Sequence, residues 1–238
     1  MDTPADIFSR SEALLGKEGL NKLASTKVIV FGVGGVGSWC AEALVRTGVG
    51  HLTLVDSDEV CYSNINRQLP ATTETVGRPK VEVLKERFLS INPEAEIQAL
   101  HGAFHAENAE TFHLDAYDYV IDAIDSLEDK AELILAASRL ENGTLFSSMG
   151  AAKKLDPSLI RTAEFWKVHG CPLAKALRTR FKKNKRFPEK KFLCVFSEEK
   201  GLPGVEKGSL MPVTAMFGLQ LASLVINHSI NTIKNTAI

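Results

Sequence analysis

The chain has 238 residues, of which 45% are hydrophobic and 24% are charged, so it is long and apolar enough to bury a substantial core. No run approaches the roughly 18 uninterrupted apolar residues of a membrane span, and the N-terminal MDTPADIFSR lacks the layout of a secretion signal, so we expect a cytoplasmic protein without membrane contact. The net charge of −1 hides two unlike halves, because residues 151–238 carry 16 Lys and Arg against 6 Asp and Glu, whereas residues 1–150 carry 12 against 23; the second half therefore suits an anionic partner.

Predicted helices and strands alternate through the first 150 residues. An amphipathic helix is predicted over 9–26, with Leu14, Leu15, Leu20 and Leu23 on its apolar side. KVIVFGV (27–33) has the continuous apolar character of a buried parallel strand. Further helices are predicted at 37–49, 77–90, 106–113 and 126–143, and further strands at 51–56, 96–100, 117–124 and 144–150. This alternation predicts an α/β fold, a doubly wound, mostly parallel, Rossmann-like sheet with helices on both faces.

The alternation becomes less regular after residue 150. The patterns predict strands at 159–165 and 191–198, a basic helix at 172–186 and an apolar closing helix at 212–230. We expect residues 151–238 to extend the same sheet within one domain, rather than to form a second domain.

The glycines Gly32, Gly34 and Gly37 fit the spacing G-x-G-x-x-G between a predicted strand and a predicted helix. Such a turn lets the backbone approach a phosphate where any Cβ would collide, and the helix N-terminus adds free N–H groups and partial positive charge. Asp56 ends the next strand, where an acid can accept a ribose hydroxyl. The alternative is a glycine turn that serves only tight packing of strand on helix.

Three segments beyond this turn carry polar residues that favour a triphosphate over a dinucleotide as the ligand. NINRQ supplies Asn64, Asn66, Arg67 and Gln68, VGRPKVEV supplies Lys80, and VIDAIDS places Asp122 and Asp125 at the end of a strand. An acid at that edge can hold Mg²⁺ against phosphate oxygens. Alternatively, Arg67 and Lys80 are solvated, and one of the aspartates caps the helix near Ser126. Adenylation with ATP explains the set better than hydride transfer.

The cysteines Cys40, Cys61, Cys171 and Cys194 are scattered and never form C-x-x-C. This spacing argues against a zinc site and a disulfide framework. We expect ordinary reduced thiols.

The joint pattern of these motifs resembles the E1-like, or ThiF/MoeB/HesA, superfamily of ATP-dependent adenylating enzymes. The segments GVGGVGS, SNINRQ, VGRPKVEV and VIDAIDS carry that resemblance. The stretches SSMGAAKKLDP, CPLAKALRTR and CVFSEEK resemble one branch, the tRNA threonylcarbamoyladenosine dehydratases. The branch implies an enzyme that adenylates the carboxylate of the modified base beside the anticodon and then cyclises it, with release of AMP and pyrophosphate.

The resemblance also implies roles for individual residues. Gly32, Gly34, Gly35 and Gly37 would form the nucleotide turn, and Asp56 would hold the ribose. Asn64, Arg67, Gln68 and Lys80 would contact the nucleotide, and Asp125 would bind Mg²⁺. Arg10, in FSRSEALLG, matches an arginine that reaches into the ATP site of a neighbouring subunit, so a homodimer is implied. The resemblance also allows a sulfur-transfer protein as a partner.

Two departures from the family pattern bear on function. Zinc-containing members carry paired C-x-x-C motifs that this sequence lacks, which disfavours activation of a sulfur carrier for molybdopterin. The crossover segment before the last helix is shortened to LPGVEKG, which weakens a thiol relay and any RNA contact through that segment.

A basic stretch, residues 175–191, holds nine Lys and Arg, a single acid, Glu189, and the aromatic residues Phe181 and Phe187. It is either a solvated surface segment or a site for a phosphate backbone, and the resemblance favours contact with tRNA. The aromatic rings either stack on bases or anchor the segment to the core. The alternatives for the whole chain are an adenylating enzyme for a ubiquitin-like or sulfur-carrier protein, a nucleotide-sensing domain and an NAD-dependent dehydrogenase.

Overall fold

A computed structural model describes residues 7–201, 204 and 208–236, with side chains up to residue 231. Its strands are β1 (Lys27–Phe31), β2 (His51–Asp56), β3 (Glu96–His101), β4 (Tyr119–Asp122), β5 (Thr144–Ser148), β6 (Ile160–Glu164) and β7 (Leu193–Ser197). Its α-helices are α1 (Ser9–Ser25), α2 (Gly37–Thr47), α3 (Lys80–Ile91), α4 (Leu127–Ala137), α5 (Pro172–Asn184) and α6 (Met211–Thr236).

The seven strands form one sheet in the order β3-β2-β1-β4-β5-β7-β6. All neighbouring pairs are parallel except β6 and β7, which are antiparallel. The predicted doubly wound, mostly parallel fold is therefore confirmed. The strand order reverses between β1 and β4, and ligands of such sheets bind at this switch point, outside the carboxyl ends of the strands.

Helices cover both faces of the sheet. Because side chains alternate along each strand, neighbouring residues of one strand belong to cores on opposite faces. Val28 and Val30 of β1 belong to a core cluster that includes α2, α3 and α6, represented by Leu44, Phe88 and Phe217. Ile29 and Phe31 belong to the cluster on the opposite face, together with α4 and α5. Residues 28–31 of β1 are all buried, which explains why this part of the strand is apolar, as predicted for a central parallel strand.

Two predicted helices differ from the structure. Within α1, Gly16 adopts φ 73° and ψ 165°, which breaks the helix into two pieces and changes the phase of its apolar side. Leu14 is consequently 84% exposed, and its assignment to the buried side is wrong, whereas Leu23 is buried. The helix predicted at 106–113 is present as a 3₁₀-helix, Ala106–Phe112, rather than as an α-helix, because Asn108 turns its side chain back onto neighbouring backbone.

The closing helix α6 contains a segment, Met211–Asn231, that is long and apolar enough to cross a membrane by length and composition alone. Half of this segment is buried inside the protein. Gly218 lies so close to α2 that an added Cβ would be 2.3 Å from the carbonyl oxygen of Val36. Core packing against α2 therefore accounts for the apolar character of α6. Most of the shortened LPGVEKG segment that precedes it lies outside the described residues.

Candidate active site

The turn after β1 depends on two glycines for its own folding. Gly32 adopts φ +82°, and a Cβ there would lie 2.7 Å from the carbonyl oxygen of Ala123 after β4. A Cβ on Gly37 would lie 1.8 Å from the carbonyl oxygen of Gly32. Neither contact is sterically possible, so these positions are glycine because of the turn and its packing.

The other two glycines have no such cause in the fold. A Cβ on Gly34 would meet only the Gln68 amide at 3.5 Å, and one on Gly35 would meet the Thr214 side chain at 3.4 Å. Neither glycine has the left-handed φ that disfavours other residues. Close approach of a ligand to the backbone gives a reason for glycine here that packing does not. The alternative that the turn serves packing alone therefore explains Gly32 and Gly37 but not this pair.

Asp56 lies at the carboxyl end of β2, directly beside the turn. Its Oδ2 atom accepts a hydrogen bond from the backbone N–H of Val33 at 2.7 Å, and its Oδ1 atom accepts from the N–H of Asp58 at 2.9 Å. The carboxylate thus fixes the first part of the glycine turn as well as the start of the following loop. The predicted contact with a ribose would be an additional role of the same side chain.

Lys80 begins α3 and returns to this edge of the sheet. Its ammonium group donates to Oδ2 of Asp58 at 2.7 Å, and its side chain is only 4% exposed. The alternative that Lys80 is solvated is therefore wrong. Asp56, Asp58 and Lys80 form a connected polar row beside the glycine turn.

The NINRQ loop packs on α2 through Trp39, whose indole N–H donates to the carbonyl oxygen of Arg67 at 3.1 Å. The Nη1 atom of Arg67 donates to the carbonyl oxygen of Ser63 and to Oδ1 of Asn66, both at 2.8 Å. The guanidinium meets no carboxylate within the part of the chain that the structure describes, so it keeps its charge and most of its donors for a ligand. Asn64 closes the loop by accepting from the N–H of Cys61 at 3.1 Å.

Gln68 contributes an unpaired polar atom beside the turn. Its Oε1 atom is buried and has no hydrogen-bond partner among the described residues, and its amide lies next to Gly34. Buried polar atoms of native proteins are nearly always paired, so this atom marks a place where a ligand group or water belongs. The predicted role of Gln68 at the nucleotide agrees with this position.

The carboxyl end of β4 carries two aspartates with different environments. Asp122 is fully buried, and its Oδ2 atom accepts from Ser147 at 2.6 Å and from the ammonium of Lys130 at 2.8 Å. Lys130 also donates to the carbonyl oxygen of Ile124 at 3.0 Å. This buried ion pair holds the loop after β4 in place, and Lys130 was not predicted from the sequence.

Asp125 is exposed and makes no side-chain hydrogen bond or ion pair to any residue that the structure describes. Ser126 is the residue that caps α4, since its hydroxyl accepts from the N–H of Asp129 at 3.4 Å. The alternative that an aspartate caps this helix is therefore wrong. Asp125 remains an uncommitted carboxylate at the switch point.

The donor set fits Mg²⁺ bound jointly with a polyphosphate. Within the described ranges no three His, Cys, Asp or Glu side chains cluster as a metal site. Mg²⁺ is commonly held by one or two carboxylates together with phosphates and water rather than by an all-protein cage. A single free carboxylate, Asp125, beside the nucleotide turn meets that requirement.

Arg10 is the predicted site residue that its own chain does not bring to the turn. It is exposed in the first turn of α1, and nearby Phe8 lies against Gly48 just past the C-terminal end of α2. The glycine turn is at the other end of α2, about 16 Å away for an 11-residue helix.

Three of the four cysteines lie in the interior of the protein. Cys40, Cys171 and Cys194 are buried and unbridged, and Cys61 is exposed. Burial raises the pKa of the Cys40 and Cys194 thiols above the ordinary value, so both stay protonated and unreactive. The expectation of ordinary reduced thiols stays a prediction.

The chain is similar to known proteins over nearly its whole length. The sequence model of the ThiF family matches residues 8–237. The chain is 48% identical over 176 residues to a tRNA threonylcarbamoyladenosine dehydratase of Bacillus subtilis, covering 74% of this chain and 69% of that protein. It is 40% identical over 204 residues to the Haemophilus influenzae protein of the same name, covering 84% and 78%. A crystal structure of the E. coli dehydratase in complex with ATP superimposes with a TM-score of 0.90 at 36% identity, covering 97% and 96%.

Proposed function

This chain belongs to the ThiF family of E1-like adenylating enzymes, and we propose that it is an ATP-dependent tRNA threonylcarbamoyladenosine dehydratase. The observation that carries the proposal is the glycine turn at the switch point, bordered by Arg67 and Asp125, neither of which meets an opposite charge in the described chain. Relatives that match most of this chain bear that name, and one was solved with ATP.

The chemistry follows from the poor electrophilicity of a carboxylate. One carboxylate oxygen of the threonylcarbamoyl group attacks the α-phosphorus of ATP, and the bond from that phosphorus to the bridging oxygen breaks to release pyrophosphate. The resulting acyl adenylate is attacked by a nucleophilic atom of the same modified nucleotide, which closes a ring and expels AMP. The net change in the base is loss of one water, whose oxygen leaves in AMP.

The protein's part is to orient the reactants and stabilise developing charge. Backbone N–H groups at Gly34, Gly35 and the start of α2 would hold phosphate oxygens, because nothing in the fold requires glycine at the first two positions. Arg67 and Lys80 would place positive charge along the polyphosphate. Asp56 and Gln68 would bind the nucleoside, and Asn64 would keep Arg67 in position by closing the loop.

Asp125 would hold Mg²⁺, which when bound neutralises charge on the phosphate oxygens during phosphoryl transfer. The proposal for this residue rests on its exposure and its lack of partners, together with its position after β4.

We also propose a homodimer in which Arg10 of one subunit completes the ATP site of the other. Arg10 lies at the wrong end of α2 to serve its own turn. Large apolar side chains remain exposed on α1 and α6, including Leu14 at 84% and Leu219 at 43%. Exposed apolar surface of this kind is typical of subunit contacts. A sulfur-transfer partner stays a prediction from the resemblance.

Residues 1–150 would bind ATP and residues 151–238 would bind the RNA, within one domain. The charge contrast between these parts supports this division, since the second carries ten more basic than acidic residues. We propose a cytoplasmic enzyme, because its proposed substrate, which the names of the relatives also indicate, is tRNA.

The second candidate is an adenylating enzyme for the C-terminus of a ubiquitin-like or sulfur-carrier protein. It shares the ATP site but requires a surface for a small protein and, in zinc-containing relatives of the superfamily, paired C-x-x-C motifs. Those motifs are absent from the sequence, and the strongly basic second half favours nucleic acid instead.

One incubation separates these functions. The protein is mixed with ATP, Mg²⁺ and tRNA that carries threonylcarbamoyladenosine, and the digested nucleosides are weighed by mass spectrometry. Loss of one water from the modified nucleoside, with stoichiometric AMP, is the expected result. AMP formation that requires a carrier protein and leaves the tRNA unchanged would refute the dehydratase and support the second candidate.

A further inference from the structure

A groove beside the adenylation site runs along α5 and the start of α4. Its walls include Leu127, Pro172, Lys175, Thr179, Arg180 and Lys183, and its volume is about 480 Å³. Lys175, Thr179 and Lys183 follow one another at intervals of four residues, so they form a stripe on one side of the helix. The two lysines are separated by about 12 Å along the helix axis.

The unpaired charge on this surface is carried by lysines, because acidic residues nearby are paired with arginines. Two acidic residues of α4 are paired with arginines of this region, Glu128 with Arg180 at 2.8 Å and Glu132 with Arg186 at 2.8 Å. Glu189 is likewise paired with Arg139 at 2.9 Å. The arginines therefore neutralise the local acids, and the remaining charge is carried by lysines.

The nine cations of the basic stretch divide into two groups. Four of them bind other groups of the protein: Arg178, Arg180, Arg186 and Lys190. Arg178, for example, donates to the carbonyl oxygens of Phe165 and Val168. The other five have no partner for their ammonium groups among the residues described: Lys175, Lys182, Lys183, Lys185 and Lys191. A row of exposed, unpaired lysines is the electrostatic footprint expected for a phosphodiester chain.

The groove opens at the same edge of the sheet as the candidate active site. Leu127, in its wall, is two residues beyond Asp125. On the other side, the start of α5 lies against the end of β5, since a Cβ on Gly150 would lie 3.7 Å from Leu173 and 3.8 Å from the Cys171 sulfur. A strand of nucleic acid in the groove would thus lead toward the nucleotide turn.

The aromatic residues of this region take two different roles. Phe181 is buried and anchors α5 to the core. Phe187 is 49% exposed and pairs with Trp166, which is 41% exposed, at a ring-centroid distance of 6.3 Å. Neither ring is among the residues that line the groove, so this pair offers bases a separate stacking surface outside it.

From these observations we infer that the groove between α5 and the start of α4 binds the phosphate backbone of the single-stranded RNA loop that presents the reacting base. Lys175 and Lys183 contact phosphates on either side of Thr179, whose hydroxyl already donates to the carbonyl oxygen of Lys175 at 2.9 Å. This inference rests on the proposed dehydratase function, because it assigns the RNA substrate of that reaction to a particular surface.

The test uses the full chain with both lysines neutralised, Lys175→Gln together with Lys183→Gln. The matched control is Lys17→Gln with Lys85→Gln, which removes the same charge from α1 and α3 at side chains that have no partner in the described structure. Affinity for tRNA is measured by fluorescence anisotropy between about 50 and about 200 mM salt, because affinity that depends on phosphate contacts falls steeply over this range. The KM for tRNA is measured under turnover.

The groove variant is expected to raise the KM for tRNA about tenfold. It is also expected to lower the slope of log affinity against log salt by about 2, because two side chains no longer neutralise a phosphate. ATP affinity and the melting temperature are expected to match those of the control. Equal KM and salt slope in the two variants, with wild-type protein that converts the tRNA, would overturn the groove assignment and leave the dehydratase intact.

Other outcomes also decide the matter. A groove variant that binds tRNA normally but has a weaker affinity for vesicles of anionic lipid would assign the surface to a membrane and overturn the inference. Failure of the wild-type protein to convert the tRNA would instead refute the proposed function itself.

Discussion

At the scale of single residues, the four glycines of the turn separate into two kinds. Gly32 and Gly37 are required by backbone contacts that leave no space for a Cβ, whereas Gly34 and Gly35 have ordinary clearance. The motif spacing alone predicts all four equally. Only the packing around each Cβ position distinguishes glycines that build the turn from those available to a ligand.

Substitution of one glycine of each kind tests this difference. The Gly34→Ala variant is expected to have a melting temperature within about 2 °C of the wild type, as for a substitution at the protein surface. Its affinity for ATP is expected to fall about tenfold or more, a loss of about 1.4 kcal/mol of binding free energy. Gly37→Ala is expected to lose about 4 kcal/mol or more of folding free energy, because its Cβ would collide with backbone. Calorimetric melting and equilibrium dialysis with ATP measure the two effects. Weakened folding in the Gly34 variant would contradict the assignment.

Arg67 and Asp125 are expected to act in turnover rather than in folding. Arg67→Ala and Asp125→Asn should each lower the rate constant for AMP formation about 100-fold or more, since each would remove a charge that the proposed mechanism uses in phosphoryl transfer. Their melting temperatures should stay near that of the wild type, because neither side chain has an ion-pair partner in the described chain. Single-turnover measurements with labelled ATP give the rates. Unchanged rates in either variant would show that the site lies elsewhere.

Sequence patterns located most of the polar residues around the turn but missed two features of the site. Lys130 is completely buried against Asp122, although a lysine in the first turn of a helix rich in acids is usually solvated. The unpaired oxygen of Gln68 is likewise visible only when its surroundings are known. Both depend on which distant segments pack together, and a linear pattern carries no such information.

At the scale of elements, the site is held by a clamp between α2 and α3. Arg87 of α3 donates two hydrogen bonds at 2.9 Å to the carboxylate of Glu42 in α2, and Arg46 adds a third at 2.7 Å. The clamp matters for function because α2 begins at the glycine turn and α3 begins at Lys80.

The clamp predicts an acid-sensitive stability. Burial by itself would raise the pKa of Glu42, but the hydrogen bonds from Arg87 and Arg46 outweigh it and hold the pKa below the ordinary value of 4.5. A carboxylate with a depressed pKa contributes stability above pH 4.5 and loses it as the pH falls through the lower, folded-state value. Glu42→Gln should therefore cost about 2 kcal/mol at about pH 7 and progressively less in acid. Urea unfolding from about pH 3 to about pH 7 checks this; a cost that does not change with pH would contradict it.

The helices α2 and α6 were predictable because an apolar periodicity extends over many residues, and β1 because its apolar run is uninterrupted from residue 28 to residue 31. The misassigned elements were those decided by a single residue. Gly16 interrupts α1 through its left-handed φ, and the Asn108 side chain favours a 3₁₀-helix over an α-helix. Such local competition leaves the apolar spacing unchanged and is therefore invisible to it.

At the scale of the whole molecule, the position of Arg10 makes the proposed dimer testable without a structure of the dimer. Arg10→Ala and Arg67→Ala proteins should each be inactive, because each removes a charge from every ATP site. When the two are unfolded together and refolded in equal amounts, hybrid dimers should contain one intact site, and about a quarter of wild-type activity should return. Refolding each variant alone is the control. A mixture that stays inactive would contradict the exchange of Arg10 between subunits.

The packing of α6 against the glycine turn has a consequence for biosynthesis. Thr214 lies against Gly35, and the carbonyl oxygen of Ser209 accepts from the Asn66 amide at 3.1 Å, so the turn and the NINRQ loop both rest on the start of α6. Translation delivers that helix long after the turn it supports. A nascent chain on the ribosome therefore lacks the contacts of Ser209 and Thr214 with the loop and the turn until α6 has emerged and docked.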